Sequence, residues 1–501
     1  MYIQYYENQV GGGALIHQVH LNQRGQGIGG FLGGLCRGIL PLIGSALKPV
    51  GKELLSVGMN VLGDVITRQS NLRDSLDNHL TQSGNKLKRK AMDKLDTFLS
   101  GGGVGYKTIL TTVEESHWVY YNPVTTLTED SPIEFHIPAN GEEYIDLAHT
   151  MLKIRCKITK EDGTAVAADA VGATNNFLHT MISQCDVLFN QKSVSGSNSS
   201  YPYRAYIETL LNYESDASNS HLQLGLWFLD TPGFMEAPVG AAAGAQNKGL
   251  QDRSLFMTNG NQFEMLGHLH VDVFNQNKFL LNGVEMKITL TRSKNEFCLM
   301  DNTEDGNYKV NILEATLIIR RAKLNPSVLV AHSKALAKTT AKYPLTRVEV
   351  KSFILAQGIL SNTLDNIILG NLPKRIVVGL VDNRAFNVGG KALSPSFSNN
   401  IHDAEAYQTL FSGTGIHFAD HGMKISRSSF TKGYTLFAFD LTPDLSANDS
   451  MYWNLIKNGS LRIEIRFGVA LAQTINCIVY AEFDNIIEID STRQVLLDYS
   501  N

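Results

Sequence analysis

From residue 106 onward the hydrophobic pattern of the chain has a period of two, and this constrains the fold more than any other feature. Leu152, Ile154, Cys156 and Ile158 alternate with basic residues. Similar strand-like segments occur at residues 133–137, 186–190, 263–274, 284–290, 310–323, 347–355, 375–381, 435–441, 461–467 and 477–489. Successive side chains of a strand point to opposite faces, so each alternating segment has one buried face. No helical crossovers separate the strands at regular intervals, and we therefore predict an all-β protein built from antiparallel sandwiches.

One helical segment divides these strands into two groups. Residues 327–342 (SVLVAHSKALAKTTAK) follow Pro326 and precede Pro344, and the two prolines bound a predicted helix. The strand-rich block on each side is long enough to form its own sandwich. We therefore predict a first sandwich over 103–325, a helical connector over 326–344 and a second sandwich over 345–501.

The first hundred residues differ in composition and have a helical period. A glycine-rich run over 25–34 precedes Pro49, which opens an amphipathic helix, and a second helical pattern follows over 72–99. Residues 1–107 carry 12 Lys and Arg against 7 Asp and Glu, whereas the remainder carries 32 against 41. Because glycines then mark a hinge, residues 1–102 are predicted to form a glycine-rich, basic, amphipathic helical arm.

The composition of the arm suggests contacts with lipid or nucleic acid. An apolar stripe flanked by Arg37, Lys48 and Lys52 suits an interfacial helix, although packing inside an assembly explains it equally well. The predicted membrane-contacting residues are Phe31, Leu32, Leu35, Leu54, Leu55, Val61 and Leu62. A basic cluster, for which a solvated helix face is the alternative, gives candidates for nucleic-acid contact. These candidates are Lys86, Lys88, Arg89 and Lys90.

The motifs that would indicate catalysis or a cofactor lack the neighbouring elements or residues that those functions require. The glycines at 25, 27 and 30 match a dinucleotide fingerprint in spacing but lack its strand and helix, and residues 101–108 lack a lysine at the phosphate-binding position. His268, His270 and Asp272 alternate on a predicted strand and could hold a metal. Leu269, Val271 and Val273 form the apparent core face, however, which favours a solvated or interface position for the three polar residues. We therefore predict no enzyme activity, cofactor or metal.

The cysteines indicate reduced thiols and assembly inside a cell. Five cysteines are scattered along the chain without a CxxC pair, which suits buried free thiols better than disulfides or zinc ligands. The first residues, MYIQYYENQVGGG, lack a secretory signal, and Arg37 and Pro41 interrupt the most apolar stretch. Neither secretion nor a membrane span is expected.

Several long segments resemble the double-jelly-roll major capsid proteins of adintoviruses and Polinton (Maverick) elements, relatives of adenovirus hexon. These segments are 175–211 (NNFLHTMISQCDVLFNQKSVSGSNSSYPYRAYIETLL), 230–233 (DTPG), 279–300 (FLLNGVEMKITLTRSKNEFCLM) and 371–387 (NLPKRIVVGLVDNRAFN). The resemblance implies two tandem jelly rolls, pseudo-hexameric homotrimers and an icosahedral capsid lattice around DNA. It also implies a penton-type minor capsid protein as a partner. The expected location is the virion capsid, with assembly in the nucleus or cytoplasm of a host cell.

The arm resembles, more loosely, the small amphipathic proteins that lie beneath adenovirus-type shells and that contact membranes or the core. Leu99, Gly101, Gly102 and Gly103 are similar to the site that adenovirus-type maturation proteases cut, which implies cleavage after Gly102. A flexible linker is the alternative explanation of the glycines. Two other functions stay open: a metal- or carbohydrate-binding jelly roll, and a membrane-lytic effector that acts through the arm.

Overall fold

The computed structural model describes most of the chain after the glycine hinge. The described residues are 113–129, 131–167, 170–196, 199–301, 308–386, 403–416, 419–420, 422–448 and 457–497, together with the backbone of 2–7. The membrane, nucleic-acid and cleavage candidates of the arm lie outside these ranges, as does Cys36. The first residues of the arm, Tyr2–Glu7, form a strand rather than a helix, in keeping with their content of Tyr and Ile.

Antiparallel strands are the main regular structure of the described residues. In chain order they are β1 (Tyr2–Glu7), β2 (Val113–Tyr121), β3 (Ile133–Ile137), β4 (Glu143–Lys160), β5 (Val171–Ala173), β6 (Ile182–Phe189), β7 (Lys192–Ser193), β8 (Phe263–His268), β9 (Met286–Arg292), β10 (Leu299–Asp301), β11 (Tyr308–Leu324), β12 (Ala341–Leu355), β13 (Ser361–Asn371), β14 (Arg375–Asp382), β15 (Leu436–Asp440), β16 (Asn458–Arg466), β17 (Ile475–Ile489) and β18 (Val495–Leu497).

The helices are short and lie between the strands. They are α1 (Phe177–Thr180), α2 (Tyr201–Asn212), α3 (Ser215–Ser218), α4 (Lys248–Ser254), α5 (Asn295–Cys298), α6 (Pro326–Leu336), α7 (Asp403–Thr414) and α8 (Arg427–Phe430). Single turns of 3-10 helix occur at His221–Gly225, Thr258–Gly260, Asp272–Asn275 and Asn383–Phe386.

The strands from β2 to β11 are called the first block, and most of them form two four-stranded antiparallel sheets. Their orders are β2-β11-β4-β8 and β3-β9-β6-β7, and the chain passes repeatedly from one sheet to the other. The longest ladder joins β4 to β11, from Lys160 opposite Tyr308 to Glu143 opposite Lys323. A small additional sheet pairs β5 with β10. Alternate residues of β4 and β9 are buried, as the period of two predicted.

The strands after α6, the second block, repeat this arrangement. The larger sheet has the order β12-β17-β14-β15, with β18 beside β17. In the first block β2 pairs with β11, which also pairs with β4. In the second block β12 pairs in the same way with β17, which also pairs with β14. The second strand of each block, β3 or β13, pairs with a strand near its end, β9 or β16. β1 pairs with the other edge of β16, with Tyr2 opposite Arg466.

The two sheets of the second block share one hydrophobic core. Ile376 and Val378 of the larger sheet and Leu461, Ile463 and Ile465 of the smaller sheet belong to the same buried cluster. Each such side chain contributes roughly 1.5–3 kcal/mol when fully buried. In β16 the alternation in the sequence therefore predicted the buried face correctly.

The connecting helix is shorter than predicted. It ends at Leu336, and β12 already begins at Ala341 and includes Pro344. Pro344 predicts the end of the helix in the sequence, but it lies in β12, the outermost strand of its sheet, where a residue without an N–H can be accommodated.

The described cysteines agree with the prediction of buried thiols. Cys156, Cys185, Cys298 and Cys477 are all buried and free. Burial raises the pKa of Cys298 and of Cys477 to about 12, so these thiols stay protonated and unreactive at neutral pH.

Candidate functional site

The three predicted metal candidates do not lie on one face of a strand. β8 ends at His268, and Asp272 begins a 3-10 turn, so the alternation breaks between them. His270 and Asp272 are largely covered, with side-chain exposures of 11% and 3%, so of the two predicted alternatives the solvated position is wrong for these two residues. The local sequence could not reveal that helix α2, more than 50 residues earlier in the chain, covers this segment.

Each candidate has a different partner. The Nε2 atom of His268 lies 3.1 Å from the carbonyl oxygen of Phe274, whereas His270 pairs with Glu208 and Asp272 pairs with Arg204. Within the described ranges, no group of three or more His, Cys, Asp or Glu side chains is arranged to hold a metal ion.

Four charged or titratable side chains form a buried network, which we call the joint cluster: Arg204, Glu208, His270 and Asp272. The Nε atom of Arg204 lies 2.8 Å from Oε1 of Glu208, and its Nη2 atom lies 2.6 Å from Oδ1 of Asp272. The Nδ1 atom of His270 lies 2.7 Å from Oε2 of Glu208. Arg204 and Glu208 are four residues apart on α2, so they share one helix face.

The joint cluster also bonds to the second block. The hydroxyl of Tyr480, on β17, donates to Oε1 of Glu208 at 3.3 Å. The backbone N–H of Val348, on β12, donates to Oδ1 of Asp272 at 3.2 Å. Nonpolar residues of α2, among them Ile207 and Leu210, pack into the hydrophobic core of the second block. Helix α2 therefore joins the two blocks through both polar and apolar contacts.

A second buried arginine organises the DTPG segment at residues 230–233. Arg253 has a fully buried side chain, and its Nη2 atom lies 2.6 Å from Oδ1 of Asp230. Its other nitrogens donate to the carbonyl oxygens of Ala173, at 2.7 Å, and Phe228, at 2.6 Å. From the second block, the hydroxyl of Tyr434 donates to the carbonyl oxygen of Asp230 at 2.7 Å. The DTPG segment thus has a structural role at the same boundary.

Further hydrogen bonds join the blocks at a distance from the joint cluster. The Nε and Nη2 atoms of Arg493 donate to the carbonyl and side-chain oxygens of Asn282, at 2.7 and 2.8 Å. The side chain of Gln276 donates to the carbonyl oxygen of Pro344 at 2.7 Å. Helix α6 has no buried residue, so side-chain contacts, rather than packing of the connector, fix how the blocks are arranged.

The electrostatics of the joint cluster favour the charged forms of Glu208 and Arg204 despite their burial. Burial alone would disfavour the carboxylate of Glu208, but Arg204 and the hydrogen bond from His270 outweigh this effect and lower its pKa to about 2. Burial raises the pKa of Asp272, and Arg204 only partly opposes it. For Arg204, attraction to Asp272 and Glu208 outweighs burial and raises its pKa further above the ordinary value. The guanidinium group is thus the common cation for two buried carboxyl groups.

Comparisons with known proteins give one relative in sequence and a solved structure with a similar fold. No protein-family model matches the chain. The uncharacterised protein F54H12.2 of Caenorhabditis elegans is 24% identical over 428 residues, which are 77% of this chain and 98% of that protein. A chain in the cryo-EM structure of the Sputnik virophage has a TM-score of 0.55 and 11% identity, covering 78% of this chain and 90% of that chain. The fold is a double jelly roll.

Two further solved structures give lower TM-scores. The Faustovirus major capsid protein has a TM-score of 0.46 and 10% identity, with 75% of this chain and 90% of that chain covered. The mavirus major capsid protein has a TM-score of 0.43 and 14% identity, with 76% and 90% covered. The strand orders of the two blocks and the similarity to the Sputnik virophage chain confirm the expected fold class, all-β with two antiparallel jelly rolls. None of the helices in the described part of the double jelly roll is long and apolar enough to cross a membrane.

Acid is expected to weaken the double jelly roll through His179. This side chain lies on α1, its Nδ1 atom is 3.0 Å from the hydroxyl of Tyr201, and its ring is 4.7 Å from that of His270. Burial, together with repulsion from His270 and His268, holds its pKa well below 6.5. Below pH 6.5 the unfolded chain therefore binds a proton at His179 that the folded chain does not. The free energy of unfolding should fall as the pH falls, by at most about 1.4 kcal/mol per pH unit from this group.

The measurement is urea denaturation of the wild type and of His179→Asn between pH 7 and pH 5. The variant should lose less stability than the wild type over this interval. Glu208 does not confuse the comparison, because its lowered pKa contributes stability that is lost only below about pH 4.5. Asp440 has the opposite effect on the free energy of unfolding, because burial raises its pKa to about 6. This effect is present in both proteins and does not change the difference between them. Equal pH dependence in the two proteins would contradict the role of His179.

Proposed function

We propose that the chain is a major capsid protein, which assembles as a pseudo-hexameric homotrimer into an icosahedral shell. The observation that carries the proposal is the repeated strand order of the two jelly rolls, which side-chain networks hold in one arrangement. Three copies of such a chain supply six similar jelly rolls, the number that a hexagonal tile requires. The fold similarity to a chain of the Sputnik virophage supports this function.

The joint cluster gives the two jelly rolls the fixed relative orientation that a capsid protein needs. A lattice tolerates little variation in the angle between neighbouring contacts, so the two jelly rolls of each chain must keep a fixed relative orientation. Arg204, Glu208 and Asp272, with Tyr480, supply that constraint.

Exposed apolar side chains provide surfaces for contacts between copies. Tyr120 on β2 is 65% exposed, and Ile354 on β12 and Leu369 on β13 are each 68% exposed. β2 and β12 are the outermost strands of their sheets. Aromatic and large apolar residues are typical of protein interfaces, where they bury most of their surface.

The finer features of the function come from the sequence. We propose that the protein belongs to the adintovirus and Polinton group and works with a penton-type minor capsid protein in the virion. Residues 1–102 would contact membrane or DNA on the inside of the shell, and an adenovirus-type maturation protease would release them by cutting after Gly102. Mass spectrometry of assembled particles tests the cleavage, and an intact chain there would contradict it.

The experiment for the shell function is the expression of the full chain, with native mass spectrometry for its stoichiometry and negative-stain electron microscopy for hexagonal arrays. We expect trimers that form arrays as the concentration rises. The control variant is Arg466→Met, which removes a charged side chain that is 63% exposed. It tests whether the loss of an arbitrary surface charge disturbs assembly. This variant should still form trimers and arrays. A folded protein that stays monomeric at all concentrations would contradict the proposal.

A further inference from the structure

A cavity of about 190 Å³ lies beside α2, where the two jelly rolls meet. We call it the joint cavity. Its wall from the first jelly roll includes Tyr206, Ile207 and Leu210, and its wall from the second includes Leu380, Leu436 and Ile478. Most of this lining is apolar, so water inside would find few partners for its hydrogen bonds.

One side chain of the wall has an unused donor. Asn175 is 6% exposed, and its Oδ1 atom accepts hydrogen bonds from the backbone N–H groups of Asn176 and Phe228, both at 2.9 Å. Its Nδ2 atom is buried and has no hydrogen-bond partner among the described residues. Buried polar groups are nearly always hydrogen-bonded, so an orphan donor in the wall of a cavity indicates a missing acceptor.

The charged group in the wall is already neutralised. Asp230 also lines the joint cavity, but its Oδ1 atom accepts hydrogen bonds from Arg253 at 2.6 Å and from Asn247 at 2.9 Å. A cation would therefore find no free carboxylate there, and an anion would face Asp230. The electrostatics favour a neutral occupant.

We propose that the joint cavity binds a small neutral molecule with one apolar ring or a short apolar chain, whose single oxygen accepts a hydrogen bond from Asn175. The volume supports this size, because an apolar cavity of about 150 Å³ is enough to hold benzene. Since residues of both jelly rolls line the cavity, the bound molecule contacts both and stabilises their arrangement. The binding is a property of the single chain and does not depend on shell assembly.

The test compares two probes of nearly equal shape on the full chain. Acetophenone carries a carbonyl oxygen where α-methylstyrene carries a methylene group, so only the first can accept a hydrogen bond. Titration followed by ligand-observed NMR should show that both bind and that acetophenone binds about fivefold more tightly, the effect of one net hydrogen bond.

Two variants separate the hydrogen bond from the cavity itself. Asn175→Asp keeps the acceptor oxygen but removes the amide donor, and it should abolish the preference for acetophenone. Val381→Phe adds a ring at a lining residue and should abolish binding of both probes. The matched control Val469→Phe, at a side chain that is 81% exposed, should bind both probes as the wild type does.

Three results would overturn the proposal. They are the absence of binding by either probe to the wild type, unchanged binding to folded Val381→Phe, and an unchanged preference for acetophenone in Asn175→Asp. Thermal melting of each variant shows whether it is folded. If Asn175→Asp does not fold, the wild-type preference between the two probes and the Val381→Phe result decide the matter.

Discussion

Replacing Arg204 with Met is expected to lower the free energy of unfolding by about 3–5 kcal/mol, because the change leaves buried carboxyl groups without their common cation. Arg204 is the ion-pair partner of both Glu208 and Asp272. Glu208 would keep His270 and Tyr480, whereas Asp272 would keep only the backbone N–H of Val348 among the partners described above. Removing one member of a buried ion pair costs more than the pair contributes, since the remaining charge is still desolvated.

Scanning calorimetry and urea denaturation measure this effect. We also expect one unfolding transition for the wild type and two for Arg204→Met, because the joint cluster couples the jelly rolls. The control Arg466→Met removes an exposed arginine and should change stability by less than about 0.5 kcal/mol. Adding Glu208→Gln and Asp272→Asn to Arg204→Met removes the stranded charges and should restore part of the loss. A change below about 1 kcal/mol in Arg204→Met would show that the joint cluster does not stabilise the fold.

Replacing Arg253 with Met is expected to have an effect of similar size, about 3–5 kcal/mol. The guanidinium group of Arg253 donates to Asp230 and to the carbonyl oxygens of Ala173 and Phe228, all from a fully buried position. Met can fill much of the volume but cannot donate to any of these oxygens. Arg253→Lys should also be destabilising, because a single ammonium group cannot reach three acceptors arranged for a planar fork.

The same helix offers the control for this prediction. Lys248 lies on α4 like Arg253, but its side chain is 77% exposed and pairs with Asp252 four residues later. Lys248→Met should therefore cost less than about 0.5 kcal/mol in the same urea denaturation experiment. Equal losses for the two substitutions would mean that the position of Arg253 on α4, and not its buried hydrogen bonds, determines the effect.

The sequence predicted the strands well, because each half-buried strand carries its own signal. Residues 152–158 and 461–465 alternate between apolar and charged side chains, and the structure buries the apolar face of both segments. The predictions from the sequence were wrong where contacts with another strand or helix determined the local structure. Pro344 predicts a boundary but lies within an edge strand, and residues 269–274 continue the apparent alternation but do not form part of β8.

The joint cluster shows why part of the site escaped prediction. His270 and Asp272 were recognised as candidate residues, but their partners Arg204 and Glu208 lie on a helix more than 60 residues away in the sequence. No local pattern links the two segments. Arg253 was missed for the same reason, since an arginine in a polar stretch is usually exposed, and only its three acceptors and its complete burial identify its role.

The sequence by itself determined the all-β character, the two groups of strands and the burial of the described cysteines, because these depend on short-range periodicity and composition. Only the tertiary structure decided how the two jelly rolls are joined, which charges are buried together and where a cavity remains between them. Those features depend on side chains that meet across long sequence separations, where the free energy of desolvation and pairing is set by the surroundings and not by the residue type.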